Sequence, residues 1–103
     1  MAGRWSATFQ GTVRRWLDGD TCDVDISFAF VTVHARIRLA RVDAPRVETS
    51  EGLRALSEMQ RAFPPGSTVT VHVYDRDRYQ RLLGDLVVGD RRASEYLTSL
   101  GLG

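Results

Sequence analysis

Apolar and polar residues alternate loosely through Thr8–Leu17 (TFQGTVRRWL) and then cleanly through Thr21–Phe28, where Cys22, Val24, Ile26 and Phe28 fall on one face. Alternation with period two marks a half-buried strand, and the Asp18-Gly19 pair between the two runs is a turn signal, so this stretch is predicted to be a β-hairpin. A third run, Val33–Val42, directs Ala35, Ile37 and Leu39 inward and Arg36 and Arg38 outward, then loses phase at Ala40-Arg41. A bulge is expected there, a device that re-aims side chains.

Between Ala44-Pro45 and Pro64-Pro65-Gly66 the period changes: Leu53, Leu56, Met59, Gln60 and Phe63 follow helical spacing, with Ser50 as the expected N-cap. Thr68–Tyr74 (TVTVHVY) reads as a strong fourth strand, Asp75–Arg78 as a charged turn, and Arg81–Val88 as a fifth strand. A short helix over Ala93–Leu100 is expected to end at Gly101 in the left-handed conformation. Three strands, a helix, two strands and a terminal helix predict a mainly β, α+β architecture, the five-stranded OB-fold barrel. A small α+β sandwich is the alternative built from the same elements.

The length of 103 residues allows one core, so residues 1–103 are read as a single domain. No run reaches the roughly 20 apolar residues of a membrane span, and residues 1–12 lack the apolar stretch of a secretory signal. The chain is therefore expected to be soluble and without a membrane partner, its location left open. One cysteine, Cys22, excludes an intrachain disulfide or a multi-thiolate zinc site, and two histidines, His34 and His72, argue against an imidazole site, so a metal would be held by oxygens. All 14 basic residues are arginine, whose planar fork suits phosphate, although biased codon usage gives the same skew; the net charge is only +1. Trp5 and Trp16 read as packing residues rather than stacking platforms, Cys22 as an inert buried thiol, and the two histidines are given no role.

Four local patterns carry candidate chemistry: Asp18-Gly19-Asp20-Thr21, Arg38–Pro45 (RLARVDAP), Asp75–Arg81 (DRDRYQR) and Ser94–Gly101. Each alone is weak. An Asp-Gly-Asp-Thr turn is ordinarily a hairpin, Asp43 before Ala-Pro is an ordinary turn residue, and mixed Arg and Asp at a strand end usually form solvated ion pairs.

In order and spacing, however, the patterns closely resemble the staphylococcal-nuclease-like family over nearly the full length: a DGDT turn, an R-L-x-x-x-D-x-P strand end, a helix, a D-x-Y-G-R segment matched by Asp77–Arg81, and a closing L-x-x-x-G-L matched by Leu97–Leu102. The resemblance implies that Asp20 and Asp43 supply carboxylates to Ca²⁺, with Asp18 in support, a hard cation suited to oxygen donors. It implies further that Arg38 and Arg81 hold the scissile phosphate and stabilise growing charge, while Tyr79 contacts phosphate or sugar and Arg78 supplies positive potential; Arg46 is read as a further substrate-binding residue. The implied activity is hydrolysis of phosphodiester bonds in DNA and/or RNA, single-stranded or unpaired, with little base specificity, by a monomer.

The sequence departs from the family pattern in three places. Arg46 stands where the family has its general-base Glu, leaving Glu48, or the more distant Glu51, as the nearest substitute carboxylates. Gln80 replaces the Gly of Y-G-R, which loosens the aim of Arg81, and the sequence stops at Gly103 where many relatives continue into a longer helix. Loss of a general base costs about 10²–10⁴-fold in rate, so a weakened nuclease, an impaired nucleic-acid-binding module and a purely structural barrel stand as the three readings.

Overall fold

The computed structural model describes residues 7–76, 79 and 81–103. Strands β1 (Ala7–Asp18), β2 (Thr21–Phe28) and β3 (Val31–Leu39) form an antiparallel meander, followed by helix α1 (Ser50–Ala62), then β4 (Thr68–Arg76) and β5 (Leu82–Val88). β4 pairs with β1 and with β5, and a short parallel contact of Ile37–Leu39 with Leu82–Gly84 closes the five strands into a barrel. A two-residue strand, β6 (Arg91–Arg92), leads into helix α2 (Ala93–Ser99). The barrel with a helix between strands 3 and 4 is the expected OB architecture, and the sandwich alternative falls. Among the described residues no helix is long and apolar enough to cross a membrane.

Details of the prediction shift. The bulge expected at Ala40-Arg41 is instead a turn that leaves the sheet, with Arg41 at φ 67°, while the register breaks lie in β1, at Val13–Arg15 and Trp16–Asp18, and in β4, at Val73–Asp75. Helix α1 is capped not by Ser50 but by Thr49, whose Oγ1 accepts the Gly52 N–H at 3.0 Å. The cap is one residue earlier than expected, and Gly52, Ala55 and Met59 face the core while Leu53 is exposed. Gly101 has φ 74°, as expected for the residue that ends α2.

The core joins inward residues of the five barrel strands, among them Val13, Val24, Ile37, Leu39, Val71 and Leu86, to Met59 of α1, Phe63 at its C-cap and Leu97 of α2. Each large aliphatic or aromatic side chain so buried contributes about 1.5–3 kcal/mol. Trp16 is buried, and its indole N–H donates to the Phe63 carbonyl at 3.0 Å, tying the end of α1 to the first hairpin. That is a packing role, as expected; Trp5 lies outside the described residues. Cys22 is fully buried on the inward face, and burial pushes its thiol well above the ordinary value, consistent with an inert group.

Outside the barrel, Asp23 sits between Arg15, at 3.2 Å, and Arg36, at 2.8 Å. The Arg36 hydrogen bonds, with help from Arg15, hold its carboxyl below the usual Asp range. Because the folded value is depressed, this contribution is present above the ordinary Asp value of 3.8 and is lost as pH falls through the lowered folded value. Denaturant melts of Asp23→Asn against wild type, from about pH 5 to about pH 2, are expected to show a shallower acid loss of stability in the variant.

Gly52 decides how α1 seats on the segment that precedes it. A Cβ there would lie 1.8 Å from the carbonyl oxygen of Arg46, closer than atoms can approach. The Arg46 carbonyl is itself fixed, accepting from the Thr49 N–H at 3.0 Å and the Thr49 hydroxyl at 2.6 Å. Gly52→Ala is therefore expected to cost on the order of 3 kcal/mol by overpacking, read as a lowered denaturation midpoint.

Candidate active site

The Asp18-Gly19-Asp20-Thr21 turn joins β1 to β2, and the end of β3 runs beside it because Thr21 pairs with Arg38 and the Leu39 N–H donates to the Asp20 carbonyl at 2.8 Å. Two segments distant in sequence thus meet at one end of the barrel. Asp18 Oδ1 accepts the Asp20 N–H at 3.1 Å, an Asx turn that makes Asp18 a builder of the loop. Gly19 has no room for a side chain: a Cβ would sit 2.8 Å from Ala55 and 2.9 Å from Ala44.

Asp20 is almost fully buried. Its Oδ1 accepts from the Thr21 hydroxyl at 3.1 Å, and its Oδ2 accepts from the Ala44 N–H at 2.8 Å and lies 3.4 Å from Arg38 Nη1. Burial, reinforced by the hydrogen bond and charge of Asp18, raises its pKa, while the Ala44 amide and Arg38 oppose the shift. A carboxylate in that condition gains from a nearby cation.

Arg38 supplies one. Its Nη1 donates to the carbonyl oxygens of Leu39, at 2.7 Å, and Val42, at 2.8 Å, so the guanidinium is aimed by main chain. The turn through Arg41 at φ 67° carries the chain from Leu39 to Val42 and presents both carbonyls to Arg38; a non-glycine residue there costs about 1–2 kcal/mol. Nη2 reaches Asp43 Oδ1 at 3.1 Å, and the Asp43 side chain is 92% exposed. Asp20 and Asp43 therefore contact the same guanidinium, one from a buried and one from a solvated position.

Arg46 and Glu48 lie just beyond, on the loop entering α1, joined to each other at 3.3 Å and both largely exposed. A backbone hydrogen bond within Glu48, followed by the Arg46 contact, holds the Glu48 carboxyl below the usual range. Glu51, on the first turn of α1, accepts from the Ser50 hydroxyl at 3.4 Å. Across the barrel closure, Arg81 immediately precedes β5, whose Leu82 and Leu83 pair with Ile37 and Arg38, and its guanidinium lies 5.5 Å from the Tyr79 ring centre. The register brings the Arg81 segment beside β3, close in strand order to Arg38. Arg78, Asp77 and Gln80 lie outside the described residues.

The structure thus brings together Asp18, Asp20, Arg38 and Asp43, and sets Arg46 and Glu48 beside them as an ion pair. Sequence reasoning missed the second layer: Thr21, the Ala44 amide and the carbonyls of Leu39 and Val42. Main-chain acceptors leave no mark on residue identity, whereas Thr21 was in view as the last residue of the turn motif. It also missed Asp85, buried on β5, which accepts from the Leu86 N–H at 2.9 Å, the Ser94 N–H at 3.0 Å and the Ser94 hydroxyl, with Arg92 at 3.7 Å. Asp85 anchors α2. A groove of about 590 Å³ lies along that helix, lined by Arg41 and Arg92 among others, but by none of Asp20, Arg38 and Asp43.

Among the described residues no three His, Cys, Asp or Glu side chains are grouped to hold a metal. The oxygen donors present are the carboxylates of Asp20 and Asp43, which meet at the Arg38 guanidinium. They fit a hard cation that completes its shell with carbonyl or water oxygens better than they fit zinc.

Comparison with known proteins places the sequence in a family. The profile of the family described as Staphylococcal nuclease homologue matches residues 36–103, which include Arg38, Asp43 and Arg81 but not the Asp18–Thr21 turn. Two proteins described as uncharacterized endonucleases, from Escherichia coli and Escherichia coli O157:H7, are each 42% identical over 84 residues, covering 82% of this chain and 52% of the relative. An uncharacterized 38.1 kDa protein of Capnoides sempervirens is 34% identical over 67 residues, 65% of this chain and 20% of that protein. The chain spans about half the length of the Escherichia coli relatives. With the matched profile carrying the β3 end, α1 and the closing strands, this chain belongs to the staphylococcal nuclease homologue family.

Proposed function

We propose that this chain is a nuclease domain that hydrolyses phosphodiester bonds of single-stranded or unpaired DNA and/or RNA with little base specificity, in a Ca²⁺-dependent reaction weakened by Arg46. The observation that carries the reading is Arg38, fixed by two carbonyls between a buried and an exposed carboxylate. The description of the Escherichia coli relatives as endonucleases supports it.

Asp20 and Asp43, with Asp18 in support, would hold Ca²⁺, which when bound supplies Lewis-acid polarisation of phosphoryl oxygen. Arg38 binds the phosphate. Its Nη1 is committed to main chain, while Nη2 is held by the exposed Asp43, an ion pair worth at most about 1 kcal/mol, so a phosphate oxygen exchanges for that carboxylate at little cost. Arg81, immediately before β5, is the second cation, Tyr79 contacts phosphate or sugar, and Arg78 adds positive charge to the segment. Preorganised arginines of this kind stabilise charge as it grows on the transferring group.

Proton removal from the attacking water is the weak step. Arg46 has no acceptor, and Glu48, the substitute base, is less basic than a free Glu because Arg46 and a backbone hydrogen bond stabilise its carboxylate. That same pair supports the second reading, a nucleic-acid-binding module that keeps a phosphate pocket without efficient turnover.

Cleavage of single-stranded DNA and RNA is expected with Ca²⁺ and not with chelator, and to be lost in Asp20→Ala and Arg38→Ala; unchanged cleavage by Asp43→Ala would rule out this metal site. Arg46→Glu is expected to raise the rate about 10²-fold or more, and no gain would favour the binding module. In chelator, Asp20→Asn is expected to melt above wild type, because it removes a buried charge beside Asp18. The same variant should lose the rise in melting temperature that Ca²⁺ gives wild type.

A further inference from the structure

Alternation breaks in the middle of β1, and the break changes what the barrel shows to solvent. Val13 pairs with Val24 and Arg15 with Asp23, so Arg14 is the extra residue of a bulge. Strict alternation would send one of two consecutive residues into the core. Here Val13 and Trp16 are buried on either side and both arginines point outward, Arg14 to Asp25 at 3.4 Å and Arg15 Nε to Asp23 at 3.2 Å. A bulge disrupts the ladder locally and is a device for re-aiming side chains next to a functional site. This one delivers an additional guanidinium to the outer face of the β1–β2–β3 meander.

The same face of β3 carries Arg38, Arg36 and His34, because the residues between them, Ile37 and Ala35, pack on the core. Successive outward residues on a strand stand about 6.6 Å apart, close to the spacing of successive phosphates along an extended nucleic-acid strand. Arg36 holds Asp23 through Nε at 2.8 Å and Nη2 at 3.1 Å, and His34 Nδ1 meets Asp25 and, at 3.2 Å, Arg14 Nη1. Arg15 engages Asp23 through Nε alone, which leaves the Nη pair at its tip without a partner among the described residues. Three guanidiniums thus face two carboxylates. A groove of about 330 Å³ runs among them, lined by Arg14, Arg15, Asp23, His34 and Arg36. The side chains of Arg14, Arg15 and His34 are each more than half exposed, and such exposed pairs hold weakly, so a phosphate oxygen joins or replaces a carboxylate at little cost.

We propose that this outer face is a backbone-binding track for single-stranded nucleic acid, extending the Arg38 site by two phosphates, the first at Arg36 and Arg15 and the second at His34 and Arg14. The inference rests on the reading of Arg38 as the residue that binds the scissile phosphate. A nucleic-acid strand is the occupant, in preference to an acidic protein surface, because the groups form a line at phosphate spacing that starts at Arg38. Arginine forks match phosphate oxygens, and Asp23 and Asp25 aim the forks without cancelling them, since the guanidiniums outnumber the carboxylates. Contacts made this way position the strand and carry no base preference.

Binding of oligothymidylates in chelator, measured by isothermal titration calorimetry, tests the track. A dinucleotide carries one phosphate and reaches Arg38 alone, whereas a tetranucleotide carries three and spans the roughly 13 Å from Arg38 to His34. Wild type is expected to bind the tetranucleotide at least about ten-fold more tightly than the dinucleotide. Arg36→Gln and Arg14→Gln, made separately, should each lower that advantage at least about three-fold and flatten the log–log salt dependence of tetranucleotide binding by about 0.7, while Arg61→Gln on α1 changes neither. Equal affinity for the two lengths, or an advantage that neither variant lowers, overturns the proposal. So does a glutamate peptide of equal charge that binds through the same arginines as tightly as the tetranucleotide, which would make the face a site for acidic protein. Cleavage of the same oligonucleotides with Ca²⁺ separates the two readings: cleavage without a length advantage sinks the track alone, and a length advantage without cleavage sinks the nuclease alone. Should one variant unfold, the other decides.

Discussion

Two carbonyl oxygens, those of Leu39 and Val42, hold one nitrogen of Arg38, and the site is arranged around that pair of hydrogen bonds. They require the chain to turn sharply at Arg41 as it leaves β3, and that turn delivers Asp43 to the guanidinium and the Ala44 amide to Asp20. Charge alone would leave a long arginine free to sample many rotamers. Fixing it by main chain spends that entropy during folding.

The buried partner is equally constrained. Asp20 lies beneath Arg38, in a loop that Gly19 allows to press against Ala44 and Ala55 and that the Asp18 side chain closes. Its charge is disfavoured where it sits. The fold tolerates a carboxylate that water would solvate better, the usual sign that a side chain serves something other than stability.

Strand positions were legible in the sequence because period-two alternation survives wherever one face is buried, as in Cys22–Phe28. The helix was legible in extent but not in phase: the apolar stripe counted Leu53, whereas the Thr49 cap and the contact at Gly52 turn that residue to solvent. Asp20, Arg38 and Asp43 could be named from motif order, and their convergence follows from the Thr21↔Arg38 register. What could not be read was the main chain's share: the carbonyl pair on Arg38 and the left-handed turn at Arg41. Such features depend on backbone direction, which residue identity constrains only loosely.

The barrel is closed by a parallel seam three residues long, Ile37–Leu39 against Leu82–Gly84, whereas β2 and β3 share eight paired positions. Arg38 is the middle residue of the short side, and the Gly84 carbonyl anchors the turn that cradles it. The shortest join in the cylinder therefore runs through Arg38 itself. Parting these two strands would free the turn that cradles Arg38 and leave the eight paired positions of β2 and β3 untouched, so the seam ties the geometry around Arg38 to closure of the barrel.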